Sequence, residues 1–107
     1  MHLDWRLDNV KKVFISIPMK DKLRSQIVTE QATILARVNE ILGEPVMLIE
    51  NYMRELYSQK PLECLGESIK RMAQADCAAF GKGWQDARGC VIERMCAEKY
   101  GLDIIDI

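Results

Sequence analysis

The sequence predicts a three-layer α/β fold in which a parallel sheet of four to five strands carries helices on both faces. Short apolar runs alternate along the chain with longer amphipathic segments. Strands that alternate with helices in this way form parallel sheets with right-handed crossovers. The chain has 107 residues, the size of one domain with a single hydrophobic core.

The first strand and helix follow an N-terminal extension, residues 1–11, for which an edge strand and a short helix both remain open. Residues 12–17 (KVFISI) are β-branched and aromatic and end at Pro18, which is typical of a strand buried on both faces. Residues 21–42 place apolar side chains near helical spacing, and Gly43 is a natural helix stop.

The middle of the chain repeats this alternation. Residues 46–49 (VMLI) are predicted to form a second short strand. Residues 51–60 are polar and aromatic, which predicts a loop with room for a short helix. Pro61 opens a helix that extends to about residue 75, since proline is tolerated in a first helical turn. Residues 76–80 (DCAAF) are predicted to be the third strand.

The C-terminal part contains the segment GKGWQDARGCVIE, residues 81–93. A glycine-containing turn leads into a helix that Asp86 is predicted to cap and that Gly101 ends. Residues 102–107 (LDIIDI) are the last strand, so one domain spans residues 12–107. This order is of the Rossmann or flavodoxin-like type, in which ligands bind beyond the carboxyl ends of the strands, where the strand order reverses.

Charge and composition exclude several classes of function. A net charge of -1 does not provide the basic face that a nucleic acid polymer requires. The apolar runs are shorter than the ~20 residues of a membrane span, and the N-terminus lacks the apolar core of a secretion signal. A cytoplasmic protein is therefore predicted. The four cysteines form no C-x-x-C pair and the chain has one histidine, so no metal and no cofactor are expected.

Three residues of the last helix are candidates for chemistry. Asp86, Gly89 and Glu93 are spaced i, i+3 and i+7 and share one helical face. The two carboxylates lie ~10 Å apart along the axis, and Gly89 leaves a shallow gap between them. The pattern alone favours an ordinary helix with a solvated glutamate. Trp84, in the preceding turn, is either a lid over the core or an aromatic wall for a flat ligand.

The exit of the first strand is a second candidate region. Its backbone N–H groups and Lys20 are placed to meet a phosphate or a sugar. The segment contains neither of the glycine-rich phosphate-binding motifs, and a plain strand-to-helix turn is the alternative.

Three segments together resemble the nucleoside 2-deoxyribosyltransferase-like superfamily: VFISIPMK, LGESIKRMAQADCAAFGKGW and DARGCVIE. Within it, the chain is most similar to a family of unknown function that is common in phage and prophage genomes. The resemblance covers residues 11–107. It implies a nucleoside or nucleotide ligand, cleavage of an N-glycosidic bond by hydrolysis or deoxyribosyl transfer, and a homo-oligomer, a dimer or larger, whose subunits complete each other's pockets.

The resemblance also assigns the reacting residues. In this superfamily a glutamate four residues after a glycine attacks C1′ of a 2-deoxyribose and expels the base, and Gly89 and Glu93 match that pair. The sugar then passes to another base or to water. The match implies that Glu93 is the nucleophile and Asp86 the general acid, although Ala87 occupies the position aligned with the family's acid.

The resemblance also implies a set of substrate-contacting residues, and at two of these positions the chain has a different residue from the family. Phe14 stands where the family has a tyrosine, and Ser68 where it has an aspartate. Lys20 and Arg88 are the cations available for a phosphate. The predicted substrate-contacting residues are Phe14, Ser16, Pro18, Met19, Lys20, Glu67, Ser68, Trp84, Arg88 and Gly89. The departures leave two alternatives open: a non-enzymatic nucleotide-binding or sensing module, and a structural protein that has kept only the fold.

Overall fold

One parallel sheet organises the computed structural model, which describes residues 10–50 and 60–107. Within these ranges the sheet has four strands: β1 (Lys11–Ser16), β2 (Val46–Leu48), β3 (Cys77–Phe80) and β4 (Asp103–Asp106). Their spatial order is β2-β1-β3-β4, and all neighbours are parallel. This is the flavodoxin-like order, with its reversal between β1 and β3, and it confirms the predicted fold class.

Helices cover both faces of this sheet. Helix α1 (Arg24–Leu42) lies on one face, and α2 (Pro61–Met72) and α3 (Arg88–Lys99) lie on the other. Side chains alternate along a strand, so Val13 of β1 joins the cluster under α1, whereas Phe14 joins the cluster under α2 and α3. The strand is therefore buried on both faces, as its β-branched and aromatic residues predicted.

The start of α1 differs from the prediction, and its end confirms it. Asp21 adopts a left-handed backbone conformation with φ 64°, which a right-handed helix excludes. The helix begins at Arg24, where the Gln26 side-chain oxygen accepts a hydrogen bond of 2.7 Å from the Leu23 backbone N–H. At the other end, Gly43 takes a φ of 68° and donates its N–H to Asn39.

The predicted capping of α3 by Asp86 is wrong. A 3₁₀ turn, Trp84–Asp86, precedes the helix, and the capping position falls on Ala87 without a side-chain hydrogen bond. Gly83, with φ 86°, allows this turn to close, because the Asp86 backbone N–H then bonds to the Gly83 carbonyl. Asp86 is thereby placed one residue too early to cap. At the other end of α3, Gly101 has a φ of 73° and directly follows the capping residue Tyr100, so the helix ends at the predicted place.

Some predictions fall on residues that are not described. The loop predicted at 51–60 lies outside the described residues except for Lys60, and so does most of the N-terminal extension. Lys11, which was placed in that extension, belongs to β1. No helix within 10–50 and 60–107 has the length and apolar character needed to cross a membrane.

Gly81 permits a close approach between the exit of β3 and the α1 side of the sheet. A Cβ at this position would lie 2.6 Å from Ile17 Cγ2 and 3.0 Å from Ile34 Cδ1. Real Cβ atoms do not come this close to such neighbours, so the position admits only glycine without a shift of the core.

We expect Gly81→Ala to lower the free energy of unfolding by about 1–3 kcal/mol, because the added methyl overpacks the core. Urea-induced unfolding followed by circular dichroism measures it. Gly66→Ala is the matched control: a Cβ at Gly66 meets nothing within 4 Å, and alanine in a helix interior is favoured by ~0.8–1 kcal/mol. Equal effects of the two substitutions would contradict the close approach at Gly81.

Candidate functional site

Glu93 lies on the buried face of α3 and points to the carboxyl end of β1. The residue is 7% exposed. Ser16 donates its hydroxyl to Glu93 Oε1 over 2.6 Å, and the Ser68 side chain of α2 also interacts with this carboxylate. The alternative of an ordinary solvated glutamate is therefore wrong. The elements β1, α2 and α3 each contribute one polar side chain to the site. These three side chains are far apart in the sequence and come together only in the folded chain.

Burial sets the protonation of this carboxyl group. Desolvation raises the pKa of Glu93 to about 7, against the lowering effect of the hydrogen bonds from Ser16 and Ser68. Among the described residues no charged group contributes to this shift. Glu93 thus changes its charge near neutral pH, a property typical of groups that transfer protons or act as nucleophiles.

Cys90, which is not among the residues predicted for the site, borders it. It lies one turn before Glu93, is 5% exposed, and interacts with the Ser16 hydroxyl. Burial raises the pKa of its thiol to about 11, so the group is uncharged at neutral pH and is not a thiolate nucleophile. The i−3 spacing from Glu93 was the available signal, because residues three apart share a helical face.

An ion pair on the α1 side also acts on this region. Lys22 Nζ lies 2.8 Å from Glu30 Oε1, and the charges of both residues act on Cys90. Lys20 was the cation predicted at the β1 exit. Lys20 is exposed, whereas Lys22 is half-buried and paired.

The residues predicted beside Glu93 on its helix do not join it. Asp86 is exposed, and no hydrogen bond or ion pair connects its carboxylate to Glu93 in the described part of the chain. Arg88 is exposed as well. A Cβ on Gly89 would meet nothing within 4 Å, so the gap predicted there is open.

The two predicted aromatic residues have structural surroundings. Phe14 is 0% exposed and belongs to the core cluster under α2 and α3. Trp84 is half-buried and meets Phe80 edge to face, with ring centroids 5.8 Å apart. The Arg94 guanidinium lies 4.7 Å from the Trp84 ring centroid. Trp84 therefore packs against the core beside Phe80 and also lines an open cleft, so both of its interpretations remain predictions.

The remaining predicted contacts lie at the exit of β1 and on α2. Pro18 and Met19 are half-buried at the exit of β1, and Met19 packs against the core cluster on the α1 side. Glu67, beside Ser68 on α2, lies 3.5 Å from Arg71 and 4.0 Å from Lys70. Its charge is therefore neutralised within its own helix.

An open cleft of about 320 Å³ lies at the carboxyl ends of β3 and β4. Glu93 is not among its lining residues, which are Phe80, Gly81, Lys82, Gly83, Trp84, Gln85, Asp106 and Ile107. In the described ranges, no group of three or more His, Cys, Asp and Glu side chains is arranged to hold a metal ion.

Comparison of the chain with protein-family models, with curated proteins and with solved structures gave no match.

The Glu93 carboxyl makes folding stability depend on pH. Its pKa rises from 4.5 to about 7 on burial, so the folded protein retains a proton that the unfolded chain has lost. The contribution of the protonated Glu93 to folding stability is fully present below pH 4.5 and is lost as the pH rises through 7. The free energy of unfolding therefore falls by about 3 kcal/mol between these two limits.

We therefore expect Glu93→Gln, which keeps the shape but does not ionise, to gain stability relative to the wild type between pH 5 and pH 8. Denaturant unfolding of both proteins at several pH values measures the difference. A constant difference across this range would contradict a raised Glu93 pKa. Glu98→Gln, on the exposed face of the same helix, is the control and should show no comparable trend.

Proposed function

We propose that this chain cleaves the N-glycosidic bond of a deoxynucleoside or deoxynucleotide, with Glu93 as the nucleophile, and passes the sugar to water or to another base. The observation that supports it best is the position of Glu93, buried at the carboxyl end of β1 and held by Ser16 and Ser68. This is the edge at which ligands bind in sheets of this topology. The resemblance of the sequence to deoxyribosyltransferases supplies the reaction.

The electrostatic surroundings of Glu93 suit this chemistry. Glycosidic cleavage passes through a transition state with positive charge on the sugar. A carboxylate stabilises that charge best where nearby cations do not neutralise it and where water is excluded. Among the described residues, hydroxyl groups and not cations interact with Glu93. An anionic transition state, as in acyl or phosphoryl transfer, would instead require cations or N–H donors at the reacting group.

The proposed reaction has two displacements. The ionised Glu93 carboxylate attacks C1′, the C1′–N bond breaks, and the base leaves with the bonding electrons and a proton. Water or the N–H of a second base then attacks C1′ of the glycosyl ester, gives its proton back to the group that protonated the leaving base, and releases the Glu93 carboxylate. The Ser16 hydroxyl fixes Oε1, which aims the carboxylate before the substrate arrives.

Proton donation and substrate contacts remain proposals from the resemblance. Asp86 is the proposed donor to the leaving base, and its exposed carboxylate must then come to the base from the turn before α3. Lys20 and Arg88, both exposed, are the proposed partners of a phosphate. We also propose a cytoplasmic homo-oligomer related to phage or prophage proteins, in which a neighbouring subunit completes the pocket.

A nucleotide-binding module without turnover is the second candidate. The separation of Asp86 from Glu93 favours it, because an acid that does not reach the site cannot protonate a leaving base. The burial of Phe14 also favours the binding module, because it removes one of the predicted contacts with the sugar. Such a module would be stabilised by a nucleotide that it never consumes.

Incubation with a panel of deoxynucleosides and deoxynucleotides, with free base measured by chromatography, tests the proposal. We expect base release by the wild type and a loss of at least ~10³-fold in Glu93→Gln and Glu93→Ala, because the nucleophile is removed. Glu98→Gln should retain activity. Thermal stabilisation by a nucleotide without base release would support the binding module, and neither effect across the panel would reject both candidates.

The rate should also rise with pH in a defined way. A carboxylate nucleophile must be ionised, so kcat/KM should increase about tenfold per pH unit below the Glu93 pKa of about 7 and level off above it. Rates measured from pH 5.5 to 8.5 on the released base give the profile. A rate that falls through pH 7 would instead make Glu93 a proton donor and contradict its role as nucleophile.

A further inference from the structure

Two consecutive residues of α3 bind two different strands. Ser16 of β1 is in register with Phe80 of β3, and Phe80 with Asp106 of β4. These three residues form one row at the carboxyl edge, on the face that α3 covers. Glu93 accepts the hydrogen bond from Ser16, and Arg94 binds Asp106 on the far side of Phe80.

The contact of Arg94 with Asp106 is bidentate. Both guanidinium NH groups bind the carboxylate, one to each oxygen, with the second contact at 3.2 Å. The guanidinium also lies 5.1 Å from the Phe80 ring centroid and 4.7 Å from that of Trp84. The Arg94 side chain is 17% exposed and the Asp106 side chain 62%. A bidentate pair that is stacked on aromatic rings restricts rotation more than a single ion pair does.

We propose that Arg94 and Asp106 are positioning residues for Glu93: their bidentate contact fixes the rotation of α3 about its axis and so holds the Glu93 carboxyl against Ser16, away from water. Successive residues of a helix are about 100° apart around its axis. A rotation that releases Arg94 from Asp106 therefore moves Glu93 as well. The catalytic consequence rests on the proposed function, whereas the placement of Glu93 does not.

The other groups near Glu93 carry no charge that would hide the effect of such a movement on the Glu93 pKa. Ser16 and Ser68 are neutral, and the Cys90 thiol on its own helix is uncharged at neutral pH. The Lys22–Glu30 pair acts on Cys90. On the other side, Asp106 and Glu98 both bind Arg94. Since burial is the main cause of the raised Glu93 pKa, entry of water is the change that a titration would detect.

The test is the Glu93 pKa, measured by NMR titration of the side-chain carboxyl carbon. Arg94→Lys keeps the charge but loses the bidentate contact, and Asp106→Asn weakens it from the other side. We expect the pKa to fall by about 1 or more in both variants, because water reaches the carboxyl. Glu98→Gln removes a single, exposed contact of Arg94, and its small effect calibrates the loss of one negative charge.

Two results would overturn the proposal. One is a Glu93 pKa that stays near 7 in folded Arg94→Lys and Asp106→Asn proteins, even if their melting temperatures fall, since a purely structural role would do this. The other is failure of both variants to fold, which would make the contact an element of stability alone. The titration needs no substrate, so it decides the proposal even if no turnover is found. If turnover is found, the acid limb of kcat/KM should move to lower pH with the pKa.

Discussion

The hydrogen bond between Ser16 and Glu93 is the contact on which the carboxyl edge of this sheet depends. It joins β1, an inner strand of the sheet, to the buried face of α3. A buried carboxyl group without donors would cost several kcal/mol, because it loses its hydration. The two hydroxyl donors make the burial tolerable without neutralising the charge. They also bring β1, α2 and α3 to one point, so the fold and the candidate site share the same contact.

The spacing of parallel strands explains how a single helix can serve two of them. Neighbouring strands lie ~4.8 Å apart, so Ser16 and Asp106, two strands apart in one register row, are separated by ~10 Å. Consecutive side chains diverge by about 100° around a helix, which allows Glu93 and Arg94 to reach these two positions while Phe80 fills the space between them. The polar contacts of α3 are therefore arranged by the register of the sheet.

Local patterns in the sequence were sufficient for the sheet, the helices and their order, because burial on both faces of β1 and helical spacing in α1 are properties of short segments. They failed where backbone geometry was decisive, as with Asp21 at the start of α1 and with the 3₁₀ turn that removes Asp86 from the capping position. They also failed for the burial of Glu93, because its partner Ser16 is 77 residues away. Only the resemblance singled out Glu93, as the nucleophile that it implies. Ser16 and Ser68 were predicted to contact the substrate, whereas in the structure both interact with the Glu93 carboxylate.

The cost of burying Glu93 bears on what the residue does. A glutamine would accept the same hydroxyl hydrogen bonds without ionising, and an apolar side chain of similar volume would often serve the core equally well. Above pH 7 the carboxylate lowers the stability of the fold by about 3 kcal/mol relative to an unperturbed glutamate. Stability therefore does not account for a carboxyl group at this position. The proposed reaction, which requires a desolvated and oriented carboxylate, would account for it, and the open space at Gly89, one turn earlier on the same helix, is where the proposed substrate would approach.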